Sequence, residues 1–525
     1  MLDNKLYSKL TRSFLRKWWL VIIVALSLII GSLFVCLFFT PLVNSIIDSQ
    51  LPLEEGSLTY DIWRKPPMNP VMKIYIYNVT NVDEFLNDKR KPILQELGPY
   101  TYIETWEKVN LRFHDNGTLT FNQRKIFKFS PELSNGTEDD TVHVPNIPLL
   151  SATTKSKLAP RLIRITINFM VKQRKIKPFV EVTVGQLLWG YEDSLLELAK
   201  ETSPNETLPF DKFGLLYGKN GTYSDNVTIF TGADDIKKFG VIDKFNGQSK
   251  LTHWTTNSCN AINGTDGNVF PPHMDHDTTL HIYDKDLCRL MPLKYQKEVM
   301  LYGDIQGYRF SPSRDIFADI SINPENECFC PSGPPCAPHG TFNISACQYD
   351  SPVLLSFPHF YLGDDKLRTA VDGMSPPDPK KHEFFADVQP EMGIPLRIFA
   401  RLQFNLAINH VDDIEAVATF PDIVFPIMWF EDGLDKLPEN ITDLIKLGTV
   451  VPPVAKVSLM YTLFLLGAAL LCFSIFCLIR TSNSREIMNL ETAAQFAANY
   501  DANKKQKAAT NGSNVNPAFI GDSGK

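Results

Sequence analysis

Two uncharged apolar runs, Trp18–Thr40 and Val457–Ile479, sit near opposite ends of the chain and enclose a polar segment of 416 residues. Each run is 23 residues long, and about 20 apolar helical residues cross the hydrocarbon core of a bilayer. The first is longer than the roughly 7–15-residue core of a signal peptide, and no small-residue cleavage site follows in Phe38-Phe39-Thr40-Pro41-Leu42. It reads as an uncleaved anchor. The expected organisation is a tail 1–17, a transmembrane helix 18–40, an ectodomain 41–456, a second transmembrane helix 457–479 and a tail 480–525.

Flanking charge sets the orientation, because basic residues near a span stay cytoplasmic. Lys5, Lys9, Arg12, Arg16 and Lys17 precede the first run, and Arg480 and Arg485 follow the second, so both tails are expected in the cytosol. The tails carry +4 and +2 and the whole chain −7, which leaves −13 on the ectodomain. That acidity argues against nucleic acid as a partner.

Sequons test the topology independently, since N-x-S/T is modified only on the lumenal side. The ectodomain holds nine candidate acceptors: Asn78, Asn116, Asn135, Asn205, Asn220, Asn226, Asn263, Asn343 and Asn440. A tenth, Asn511, lies in the second tail and is expected to stay bare.

Cys36, Cys472 and Cys477 belong to the apolar runs, whereas Cys259, Cys288, Cys328, Cys330, Cys336 and Cys347 crowd into one ectodomain stretch. An exported location favours three disulfides over a zinc site built from Cys328, Cys330, Cys336 and His339, because no CxxC pair is present. Proline and glycine bend Cys330-Pro-Ser-Gly-Pro-Pro-Cys336 into the most plausible local ring. Cys259 and Cys288 are then left to pair with Cys328 and Cys347.

No internal repeat or low-complexity linker interrupts the ectodomain. Alternating runs such as Val71–Val79 and Leu354–Phe357 read as strands, and Thr183–Lys200 reads as a helical patch. The mixture suggests an α+β domain, an antiparallel sheet or barrel carrying helices.

One stretch departs from the acidic background. Lys155, Lys157, Arg161, Arg164, Lys172, Arg174, Lys175 and Lys177 fall within 23 residues that contain no Asp or Glu, a local charge of +8. Leu162, Ile163, Ile165, Ile167, Phe169, Met170 and Val171 lie between them, so the segment can dock an apolar stripe while displaying cations. Charge runs are usually solvated helix faces. A +8 run inside a −13 domain nevertheless makes a field suited to anionic ligands.

Several ordered motifs resemble one family, the class B scavenger receptors, also called the fatty acid translocase or cluster-of-differentiation thirty-six family. They are Asn78-Val-Thr-Asn-Val-Asp-Glu-Phe85, Leu97-Gly-Pro-Tyr-Thr-Tyr102, Leu187-Leu-Trp-Gly-Tyr191, Ile262-Asn-Gly-Thr265 with Phe270-Pro-Pro272, Cys328-Phe-Cys330 and Phe357-Pro-His-Phe360. The resemblance implies a lipid and lipoprotein receptor. Its ectodomain would be an antiparallel β-barrel core with a helical apical bundle and an internal apolar tunnel toward the membrane. It also implies apical ligand binding just before Leu187-Leu-Trp-Gly-Tyr191, where Lys172, Arg174, Lys175 and Lys177 stand, and the pairings Cys259–Cys328, Cys288–Cys347 and Cys330–Cys336. The N-terminal tail lacks the cysteine of acylated relatives, and Cys472 and Cys477 read as apolar residues of the span more readily than as acylation sites.

Catalysis and bound cofactors are not expected. His273 and His276, with His281 nearby, are of metal-ligating type, but Pro271-Pro272 and the surrounding polar residues suit an exposed loop, and Gly521-Asp-Ser-Gly524 has no partner histidine in its tail. A channel would need a polar stripe, but Ser458 and Thr462 are followed at helical spacing by Leu466 and Ala469. An ectonucleotidase would need glycine-rich phosphate loops. Asn516-Pro-Ala-Phe519 resembles an internalisation turn for endocytic adaptors, which suits a plasma-membrane protein that cycles, or an endosomal or lysosomal one.

Overall fold

The computed structural model describes residues 2–202, 211–223 and 225–511. The chain divides into two compact units, Met1–Asn44 with Val451–Lys525, and Ser45–Val450. Asn205, Asn516–Phe519 and Gly521–Gly524 lie outside the described residues, as do the side chains of residues 1–17, Arg485 and Asn511.

The first unit holds the helix Leu2–Gln50 as far as Asn44 and the helix Val451–Asn511, each long and apolar enough to cross a membrane. Small residues line their contact. Ala25, Ser32 and Ser474 are buried, while Leu33, Phe34 and Phe464 point outward. A Cβ on Gly467 would meet Ile29 Cγ1 at 2.8 Å and the Ala25 carbonyl at 2.9 Å, so only glycine lets the two backbones approach this closely. Ser32 Oγ donates to the Met460 carbonyl at 2.9 Å. Apolar side chains outside and small or hydroxyl side chains between the helices suit hydrocarbon as solvent.

The second unit is built on a thirteen-stranded sheet. Its main path runs from Ile242–Phe245 through Val227–Phe230, Thr118–Phe129, Leu94–His114, Val71–Val79, Ile423–Leu434, Ile394–Ile408, Phe385–Gln389, Ile305–Pro312 and Arg289–Leu301 to Thr279–Asp284. Every neighbouring pair is antiparallel. The two end strands do not pair with each other, so among the described residues the sheet is open and the expected closed barrel is not found. Gly264-Thr265 reaches both edges: the Gly264 carbonyl accepts from Ile242 N–H and the Thr265 N–H donates to the His281 carbonyl, each at 2.8 Å. Two residues touch both edges without extending a ladder.

Val71–Val79 is a strand over the expected residues, with Met72, Ile74 and Ile76 buried on one face. Tyr77 and Val79 are buried on the opposite face, in a separate cluster, so the strand is covered on both sides. The strand read at Leu354–Phe357 occupies Val353–Ser356. The helical patch is two helices, Val184–Trp189 and Ser194–Thr202, rather than one. Gly190 ends the first at φ 125°, and a Cβ there would sit 2.6 Å from Tyr217 Cδ2. Tyr191 then leaves the helix to exchange backbone hydrogen bonds with Phe213.

Disulfides join Cys259 to Cys328, Cys288 to Cys347 and Cys330 to Cys336. Beside them, Trp254 donates through Nε1 to the Cys288 carbonyl at 2.7 Å and packs edge-on against Phe329.

Candidate ligand-binding surface and cavity

The basic run folds as the helix Ile147–Ser156, a short connection and the helix Arg161–Gln173. Pro145 closes the preceding strand, Asn146 caps the first helix by accepting from Leu149 N–H, and Pro160 precedes the second. The tertiary fold brings acids against the run. Arg161 and Arg164 share Asp413 at 3.1 and 2.8 Å, Lys157 meets Asp422 at 3.2 Å, and Lys155 meets Asp350 at 3.6 Å. Lys172 pairs with Glu415 and Arg174 with Glu201. Hydrogen bonding from Arg164 holds the Asp413 carboxyl below its ordinary range. The +8 of the linear run is therefore largely offset. Lys172, Arg174, Lys175 and Lys177 are all exposed, but only Lys175 and Lys177 lack an acidic partner among the described residues.

The apolar residues of the run behave differently from the expectation of a docked stripe. Val171 is buried and Ile167 partly so, packing with Leu149, Ile176 and Leu195. Leu162 and Phe169 stay 74% and 65% exposed, and Leu158 and Ile165 are exposed too. The positions 162, 165 and 169 follow helical spacing and share one face, while Leu158 stands in the connection before the helix. The helix has apolar residues on two sides, and its inner neighbours cover one. What remains is an apolar stripe edged with cations.

A cavity of about 570 Å³ lies in the same unit. Met72, Ile74, Phe127, Leu402, Phe404 and Phe430 form much of its apolar wall. Its size falls within the roughly 300–1,000 Å³ range of small-molecule pockets. Three charged residues from three strands of the sheet meet at the wall. Lys125 Nζ stands 3.7 Å from Glu104 Oε2, 3.8 Å from Asp432 Oδ2 and 4.5 Å from the Trp106 ring centre. Burial, then the Glu104 charge, pushes the Asp432 carboxyl up to about 7. No local sequence pattern announces this group, because its members come from Leu94–His114, Thr118–Phe129 and Ile423–Leu434.

Other sequence candidates fall into place individually. Asn116, Asn135, Asn220, Asn226, Asn263, Asn343 and Asn440 are exposed. Asn78 is half-buried, accepting from His143 N–H at 2.8 Å. His273 pairs with Asp48 and His276 with Glu298, so these loop histidines do not converge. The only group of metal-ligating type among the described residues is His253, Cys288 and Cys347, and the two cysteines are bonded to each other. His359 of Phe357-Pro-His-Phe360 is buried, with Nε2 2.6 Å from Glu96 Oε2 and its ring stacked on His382 at 4.3 Å. Burial and then the neighbouring His359 push His382 down to about 4.

Scavenger receptor class B member 1 of Bos taurus is 35% identical over 445 residues, covering 84% of this chain and 86% of that protein. The Mus musculus protein of the same name is 33% identical over 473 residues, covering 89% and 90%. Lysosome membrane protein 2 of Mus musculus is 35% identical over 413 residues, covering 78% and 84%. The CD36 family profile matches residues 21–478, and the chain belongs to the CD36 family.

Proposed function

We propose that the chain is a two-span receptor that captures lipid-bearing or other anionic particles on the helix Arg161–Gln173 and its flanking lysines, and passes lipid through an apolar path to the membrane. The observation that carries this reading is the exposed stripe of Leu162, Ile165 and Phe169 beside Lys172, Arg174, Lys175 and Lys177. An amphipathic helix of this kind inserts apolar side chains into a lipid surface while its cations meet acidic head groups. The cavity supplies the start of the apolar path. An acyl chain of about sixteen carbons loses roughly 12 kcal/mol on exposure to water, and an apolar conduit removes most of that barrier. Transfer down a gradient then needs no chemistry.

In this reading, residues 41–456 face the exterior or a lumen and both tails face the cytosol. The exposed sequons carry glycans, with Asn78 the least accessible of the described acceptors. Plasma-membrane residence with endocytic cycling is the first location, since two of the relatives are named scavenger receptors. The relative named for the lysosome membrane supports the second, an endosomal or lysosomal lipid exporter. Surface biotinylation separates them.

The decisive experiment offers fluorescent lipids and modified lipoproteins to cells expressing wild type, the Lys172/Arg174/Lys175/Lys177→Glu variant, or Leu162→Ser/Phe169→Ser. At matched surface levels, both variants should lose most uptake. Unchanged uptake of every ligand would overturn the assignment.

A further inference from the structure

The group at the cavity wall is incompletely satisfied. Both carboxylates lie beyond hydrogen-bond reach of Lys125 Nζ, which donates no hydrogen bond among the described residues. Glu104 is fully buried, and its Oε1 has no hydrogen-bond partner, while Asp432 Oδ1 is likewise buried and unpartnered. Unmet polar groups of this kind cost about 1–3 kcal/mol each, and a donor and an acceptor set 3.8 Å apart leave room for one bridging oxygen. Lys125 and Asp432 both line the cavity.

We propose that Lys125 and Asp432 form a head-group anchor that takes the hydroxyl of a long-chain, uncharged amphiphile whose tail lies along Phe127, Phe404 and Phe430. The hydroxyl oxygen accepts from Lys125 Nζ and its O–H donates to Asp432, with Glu104 and the Trp106 ring keeping the ammonium in place. A hydroxyl satisfies both groups at once, whereas an ether oxygen can only accept. A carboxylate head fits poorly, because five aspartates face three lysines on the described cavity wall and Glu104 stands directly behind Lys125.

The inference rests on reading the cavity as a lipid site, and the test separates the two. The full chain, held in amphipol, is loaded with N-phenyl-1-naphthylamine and titrated with hexadecan-1-ol, methyl hexadecyl ether or palmitate. The alcohol should displace the dye at least fivefold more tightly than either competitor, and Lys125→Met should bring it down to the level of the ether. If all three bind within twofold of one another, or Lys125→Met leaves the alcohol unchanged, the anchor is wrong while the lipid cavity stands. Tightest binding by palmitate, lost in Lys125→Met, would make the site a carboxylate anchor and refute the inference. Failure of all three to displace the dye would remove both readings. Should Lys125→Met not fold, the comparison of the three ligands on the unaltered protein decides.

Discussion

Arg164 donates through Nε to Asp413 Oδ2 at 2.8 Å, across 249 residues of chain. Together with the Lys172–Glu415 pair, this contact turns a uniformly basic linear run into a surface of mixed charge. On the proposed reading of this surface, Asp413 and Glu415 restrain anion binding. Asp413→Asn/Glu415→Gln should strengthen binding of phosphatidylserine vesicles to cells displaying the full chain by roughly thirtyfold at low salt, since each of the two net positive charges released contributes about 1 kcal/mol near an anionic surface. The gain should vanish near 0.5 M salt. No gain at low salt would mean that the helix does not face the vesicle.

Leu162 and Phe169 are exposed, so serine at either position removes little buried area. Exposed substitutions of this kind stay within about 0.5 kcal/mol. The melting temperature of Leu162→Ser/Phe169→Ser should therefore match wild type while lipid-particle binding drops several-fold. A large fall in melting temperature would show that the stripe packs against something in the folded protein.

Asp432 links stability to pH. Burial and Glu104 hold its folded pKa near 7, above the unfolded value of about 3.9. The folded chain keeps a proton that the unfolded chain releases, so this group's contribution is most favourable below about pH 4 and is lost as pH rises to about 7. Asp432→Asn should flatten the denaturation profile between those limits by roughly 4 kcal/mol. An unaltered slope would place the titration elsewhere.

The disulfides should differ in weight. Cys259–Cys328 spans 69 residues and Cys330–Cys336 spans 6, and loop entropy gives about 4 against about 2 kcal/mol. Cys330→Ser/Cys336→Ser should therefore cost about half as much as Cys259→Ser/Cys328→Ser in chemical denaturation. Equal costs would show that native packing around the bridges outweighs loop entropy.

Features set by local chemistry were legible in the sequence. The strand Val71–Val79 shows in its alternation, the apolar spans in their length, and the Cys330–Cys336 ring in its intervening proline and glycine. The break at Gly190 was less visible, because the leucine spacing continues past it and the steric conflict comes from Tyr217. The open sheet depends on which edges meet, which periodicity does not encode.

The basic run divides the two kinds of information most clearly. Its composition determined by itself that cations and apolar residues would be interleaved along one segment, because that follows from residue identity alone. Only the tertiary structure decided which remained available. Asp413, Glu415 and Asp422 return from far along the chain to offset the cations, and one apolar face is covered while Leu162 and Phe169 are left bare. The Glu104, Lys125 and Asp432 group was decided wholly at that level, since a meeting of three strands leaves no spacing to read.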